Sequence, residues 1–215
     1  MGSSSCLTDK SALLIADASA VINLNASGYA KEIVQALPNR VAVVDVVLEE
    51  LRLGRARGRR DADLLNELIA ADLVERVSLD PESEAYFEQL VIGPATLTLD
   101  DGEAATIAYA VSHKAVAIID EAKATKICRE RFPRLELAST VDIFAHQQVF
   151  LDIGSVLLSE VVFNALSRGR MRVFTDRISW VVELIGADRA AQCPSLPRSV
   201  RAMSVTSTPP CRNRS

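Results

Sequence analysis

Short apolar runs alternate with longer amphipathic stretches along the 215-residue chain. The runs at 12–16 (ALLIA), 41–44 (VAVV), 73–77 (LVERV) and 115–119 (AVAII), with a weaker one at 135–138 (LELA), have the length of strands. Between and after them, the apolar spacing predicts helices over 19–25 with 29–37, 46–53, 60–71, 82–91, 101–112, 121–131, 140–150, 155–168 and 174–186. Strand and helix in alternation make βαβ units, and their right-handed crossovers place helices on both faces of a sheet. The expected fold is therefore α/β: a three-layer α/β/α domain around a mostly parallel five-stranded sheet, with extra C-terminal helices.

Composition supports that reading. Hydrophobic residues make up 49% of the chain and aromatics only 5%, so aliphatic side chains carry the core, as in helices packed on a parallel sheet. The pattern divides the chain into a flexible N-terminus at 1–10, one domain at 11–188, and a basic tail at 189–215. The tail is rich in Ser, Thr and Pro, which leaves little to bury and predicts disorder. Its segment 191–215 holds Arg198, Arg201, Arg212 and Arg214 and no acid, so the body before it is more acidic than the net charge of −4 indicates. An acidic body attracts polyanions only through local basic patches or bound metal.

Several classes drop out. Cys6, Cys128, Cys193 and Cys211 are far apart and form neither a disulfide framework nor a zinc-ligand cluster. Asp17, Asp45, Asp152 and Glu160 interrupt the apolar stretches before the roughly 18 residues of a membrane helix. The opening MGSSSCLTDK lacks the basic start and apolar centre of a signal peptide, and Cys6 breaks the myristoylation pattern. A cytoplasmic protein with no membrane association is the expectation. GxGxxG, GxxxxGK[ST] and GxSxG motifs are absent.

Four acids stand where apolar runs stop: Asp17, Glu50, Glu103 and Asp120. In an open α/β sheet the carboxyl ends of the strands line one crevice, so acids distant in sequence can converge there. Each also has a structural explanation. Asp17 and Asp120 could be helix N-caps, Asp100 and Glu103 have capping-box spacing, and Glu50 could be a solvated helix residue like Glu49. Carboxylates about 4 Å apart repel by roughly 4 kcal/mol at an effective dielectric near 20, a conflict that a divalent ion removes. Oxygen-only ligands select hard ions, Mg²⁺ or Mn²⁺, which can activate a water against a phosphodiester.

The residues around these acids resemble PIN-domain ribonucleases. LLIADASAVINL (13–24) is similar to the family's opening strand and helix, VVDVVLEELRLG (43–54) to its V-x-x-E-L segment, LDDGEAATIAYAVSH (99–113) to its GE-x-x-A-I-x-x-A helix start, and IIDEAKATKIC (118–128) to its fourth strand end. The resemblance covers about residues 12–186. It implies a PIN-like fold and a metal site of Asp17, Glu50, Glu103 and Asp120 holding Mg²⁺ or Mn²⁺, with Ser19 and Glu121 as neighbouring helpers. It further implies a metal-dependent endoribonuclease, most often the VapC-like toxin of a type II toxin-antitoxin system, with an RNA substrate, an antitoxin partner and a homodimer. One departure is AKAT (122–125), where many relatives carry Gly or Arg.

The run LRLGRARGRRDAD (51–63) puts Arg52, Arg55, Arg57, Arg59 and Arg60 after Glu50, a candidate basic lip for RNA or a solvated loop. His113 and His146 read as structural. Phe174, Trp180 and Val181–Leu184 read as the packed face of a helix or a patch for an antitoxin helix. Two other functions fit the same residues: a catalytically silent PIN-like module that binds RNA or protein, and a metal-dependent phosphatase, although Asp17-Ala-Ser lacks the second Asp of a DxD motif.

Overall fold

The computed structural model describes residues 7, 9–55 and 58–202. Its sheet has five strands, β1 (Leu14–Ala16), β2 (Val41–Val44), β3 (Val74–Val77), β4 (Val116–Ile118) and β5 (Leu137–Ala138), in the order β3-β2-β1-β4-β5. Every pairing is parallel, so the sheet is wholly rather than mostly parallel. The helices are α1 (Ala18–Ser27), α2 (Ala30–Ala36), α3 (Asp45–Arg55), α4 (Asp61–Ala70), α5 (Pro81–Val91), α6 (Asp101–His113), α7 (Ala122–Arg131), α8 (Thr140–Phe144) and α9 (Gln147–Ser167). A 3₁₀ turn (Thr175–Arg177), α10 (Ile178–Ile185), α11 (Ala187–Ala191) and α12 (Arg198–Ala202) follow.

Alternation along the strands creates the three layers. Leu14, Ala16, Val41, Val43, Val116 and Ile118 face one cluster, which the apolar sides of α1–α4 and α8–α11 complete. Ile15, Ala42, Val44 and Ala117 face the other, closed by α5, α6 and α7. All residues of β1, β2 and β4 are buried, as expected where helices cover both faces of a parallel sheet. The outer strands β3 and β5 are only partly buried.

The chain builds β1, β2 and β3 towards one edge, then returns across the sheet to place β4 on the other side of β1. The order therefore reverses between β1 and β4, which makes the carboxyl ends of these two strands the crevice of the fold. Asp17 directly follows β1 and Asp120 lies two residues beyond β4.

The C-terminal third departs from expectation in three places. The expected helix at 140–150 breaks after Phe144, where His146 accepts the Gln148 N–H at 3.1 Å and caps α9. Gly154, at φ 75°, kinks α9 between the two expected helices, so the stretch after it matches the expected helix at 155–168. By length and composition α9 is long and apolar enough to cross a membrane. Its Leu158, Val161, Val162, Ala165 and Leu166 instead fill the core beside α1 and α2.

The predicted 174–186 helix is a 3₁₀ turn followed by α10. Beyond the expected boundary at residue 188, α11 and α12 extend to residue 202, and Ala190, Cys193 and Leu196 are buried in the core. Composition concealed this because three well-placed apolar residues suffice to dock a Ser- and Pro-rich segment. Residues 203–215, with Cys211, and Cys6 lie outside the described residues. Cys128 and Cys193 are free and buried.

Candidate active site

Asp17 sits at the seam between β1 and α1. Its carboxylate accepts the Ala20 N–H at 2.7 Å, so it is the N-cap of α1, and its own N–H reaches the Ile118 carbonyl of β4 at 3.3 Å. The Ser19 hydroxyl donates towards the Asp17 carboxylate, 2.9 Å from both of its oxygens. Capping and clustering are thus properties of one side chain. Asp17 is 1% exposed; burial, then the neighbouring Asp120 and more weakly Glu103, push its pKa well above the usual carboxylate range, against the Ala20 and Ser19 hydrogen bonds.

Asp120 is also buried, but it does not cap the following helix. The N-cap of α7 is Glu121, whose side chain makes no capping bond. Asp120 instead accepts from Asn23 Nδ2 at 2.7 Å, from the Thr140 N–H at 2.8 Å and from Thr140 Oγ1 at 2.5 Å. Burial raises its pKa and these donors lower it. Thr140 is held by its neighbours: Ser139 and Asp142 form a capping box at the start of α8, and Arg177 pairs with buried Asp142. Asn23 and Thr140 were missed from the sequence, since no local spacing links either to a carboxylate across the sheet.

Glu103 lies in the first turn of α6. The predicted capping box with Asp100 is not formed: Asp100 is the N-cap of α6 by position, yet its side chain makes no capping bond. Burial, then Asp100 and Glu121, raise the Glu103 pKa to about 7, with the Asp100 N–H and Lys123 opposing. Lys123 also donates to the Ala95 carbonyl at 2.8 Å.

Glu50 reaches the group from α3, which packs against α6. Much of the residue is exposed, but its carboxyl end lies over Gly102, where a Cβ would stand 2.1 Å from Glu50 Oε2. Only glycine at 102 permits that approach. Partial burial of this end, then Asp100 and Asp101, raise the Glu50 pKa. Glu49 instead pairs with Arg52 on the solvent side.

The four predicted acids are therefore brought to one edge as an arc, not a compact cage. Asp17 and Asp120 are direct electrostatic neighbours, Glu103 influences Asp17, and Asp100 acts on both Glu103 and Glu50. Among the described residues, no three acids or other ligating side chains already form a group that could hold a metal ion. The donor set nevertheless fits a hard cation that keeps several waters and uses one or two carboxylates. All four donors are oxygens, all four pKa values are raised, and no Lys or Arg forms an ion pair with any of the four among the described residues. Glu121 is exposed and lies 3.9 Å from Arg172, so it reaches the site only as a neighbouring charge on Glu103.

The expected arginine lip splits apart. Arg52 pairs with Glu49 and Arg55 with Asp63, Arg60 precedes α4, Arg59 faces a cleft beside Asp120, and Arg57 lies outside the described residues. His113 stacks on Tyr109 and contacts Asp80, and His146 caps α9, which agrees with structural roles.

Likeness to known proteins lies at the level of family. No curated protein matches it. A solved chain from VapBC2 of Rickettsia felis, crystallised bound to a DNA fragment from their promoter, is similar at 19% identity; the match covers 59% of this chain and 98% of that one, with a TM-score of 0.42. The model of a family described as PIN domain matches residues 13–182, a span that contains all four acids and the whole sheet. On that match the chain belongs to the PIN-domain family.

Proposed function

We propose that the protein is a divalent-metal-dependent endoribonuclease that hydrolyses RNA phosphodiester bonds. The observation that carries this reading is the meeting of Asp17 and Asp120 at the switch point of the sheet, with Glu103 in electrostatic reach and oxygen as the only donor type. Asp17, Glu50, Glu103 and Asp120 would hold Mg²⁺ or Mn²⁺. When bound, such an ion polarises a phosphate oxygen and lowers the pKa of an attacking water. The chain's own residues position the reaction: Ser19 and Ala20 orient Asp17, Asn23 and Thr140 orient Asp120, and Gly102 admits Glu50. One carboxylate of the arc accepts the proton of the attacking water.

In this reading the protein is a cytoplasmic, VapC-like toxin held in check by an antitoxin and assembled as a homodimer. The test is cleavage of an RNA panel with Mg²⁺ or Mn²⁺. Cleavage should stop with EDTA and in the Asp17→Asn and Asp120→Asn proteins. Activity that survives either change would sink the proposal. One observation favours a silent PIN-like module instead, namely that no three acids already form a metal-holding group among the described residues. RNA or protein binding without Mn²⁺ affinity would select that alternative.

A further inference from the structure

A cleft of about 670 Å³ opens on the α1 side of Asp120. Its lining joins Asn23 and Asp120 to four arginines, Arg59, Arg168, Arg170 and Arg172. Three of these come from one short loop after α9, and the loop is held firmly. Met171 is fully buried and its N–H bonds to the Ala165 carbonyl at 3.1 Å. Gly169 lies so close to α1 that a Cβ there would stand 2.7 Å from Asn23 Oδ1 and 3.0 Å from the Ala26 Cβ. With Gly169 and Met171 turned inward, Arg168, Arg170 and Arg172 are exposed on the outer side.

Arg170 adopts φ 56°, in the left-handed region that a bulky side chain rarely occupies. Such strain persists where the surroundings impose it, and Met171 and Gly169 supply that constraint. Three acids, Asp61, Asp120 and Glu121, share the lining with the four arginines. Arg172 lies 3.9 Å from Glu121, and Asp61 lies in the lining with Arg59. Arg168 and Arg170 form no ion pair among the described residues. Asn23 connects the two regions, because the same side chain packs against Gly169 and donates to Asp120.

We infer that this cleft, and not the Arg52–Arg55 segment, carries the phosphodiester backbone of RNA into the acidic site, with Arg168 and Arg170 as its main phosphate contacts. The inference rests on the ribonuclease reading for the identity of the polyanion. Exposed guanidiniums on a rigid loop neutralise phosphates with little entropy lost on binding. Their position next to Asp120 supplies the local positive charge that an acidic protein needs to admit a polyanion.

The test uses the full chain in EDTA, so that binding is read without cleavage. The probe is a fluorescein-labelled single-stranded RNA of mixed sequence, followed by anisotropy over a series of salt concentrations. Arg168→Ala combined with Arg170→Asn, in which Asn tolerates the positive φ, should weaken binding about tenfold or more and flatten the salt slope by roughly one to two. Arg52→Ala with Arg55→Ala should stay within about twofold of the unaltered chain, because both side chains are already paired. Unfolding curves of both variants check that the fold is intact.

RNA affinity unchanged in the Arg168/Arg170 variant, or lost only in the Arg52/Arg55 variant, overturns the inference. So does retained RNA affinity with lost binding of a poly-glutamate probe, which would assign the cleft to an acidic peptide. Cleavage with Mn²⁺ is scored separately. Weakened binding in a chain that cuts nothing supports the cleft and refutes the nuclease reading, whereas full cleavage with unchanged binding does the reverse.

Discussion

The two halves of the acidic arc differ in how they are held. Asp17 and Asp120 are buried at the ends of adjacent strands, and hydrogen-bond donors from α1 and α8 address their oxygens. Glu50 and Glu103 sit on helices, partly open to solvent, and the largest charge effects on them also come from acids, Asp100 and Asp101 on Glu50 and Asp100 and Glu121 on Glu103. On the proposed reading, the sheet edge is a rigid half whose geometry exists without a cation, and the helical edge is a compliant half whose charges a cation would reconcile. This difference explains how the donor set can suit a hard ion although no ready-made cage is present.

The largest effects should come from the rigid half. Asp17→Asn keeps an N-cap, since Asn caps as well as Asp, but removes a charge that the fold holds under like-charge pressure. The metal-free variant should unfold at a higher temperature than the unaltered chain at pH 8 and lose more than about 100-fold in RNA cleavage, beyond the loss typical of an outer partner. A variant that is less stable and fully active would break the division into two halves.

Asn23→Ala comes next. It takes one donor from buried Asp120, which should cost about 1–3 kcal/mol of stability and roughly 10–100-fold in Mn²⁺ affinity. Denaturant unfolding and calorimetry read the two separately. Loss of stability with unchanged Mn²⁺ affinity would make Asn23 a packing residue only.

Gly102→Ala probes the compliant half. A Cβ at this position collides with Glu50 Oε2, so the carboxylate must swing away. Because Glu50 is a flexible side chain on the exposed edge, the expected outcome is a fall in cleavage of about tenfold with little change in stability. The paired control Glu50→Gln should lose as much, and the double variant no more than either alone.

The smallest effect is on pH dependence. A carboxyl whose pKa rises on folding contributes stability that is full below its unfolded value and is lost as pH climbs through the folded value. For Glu103 that window runs from 4.5 to about 7, and Asp17, Asp120 and Glu50 act in the same direction. The metal-free chain should therefore show a Tm a few degrees lower at pH 7.5 than at pH 5. Glu103→Gln should reduce that difference and Mn²⁺ should reverse it. A Tm independent of pH would show that the compliant half is not under charge pressure.

The rigid half was largely legible from sequence. Acids at the ends of apolar runs are strand-end acids whenever the runs are parallel strands, and the order of the runs supplied the layers. Glu49 pairs with Arg52 on the solvent side, while Glu50 lies over Gly102. What could not be read were contacts between segments remote in sequence: Asn23 with Asp120, Thr140 with Asp120, and Gly102 beneath Glu50. The arginine loop at 168–172 escaped for a different reason. Its residues look like a polar helix end until the burial of Met171 and the close packing of Gly169 turn them into a rigid rim.

Mn²⁺ binding followed by calorimetry at pH 7.5 tests the central claim most directly, comparing the unaltered chain with the Asp17→Asn/Asp120→Asn double variant. One or two ions should bind the former and none the latter, with the double variant still folded. Equal binding by both proteins, or no binding by the unaltered chain, would contradict it.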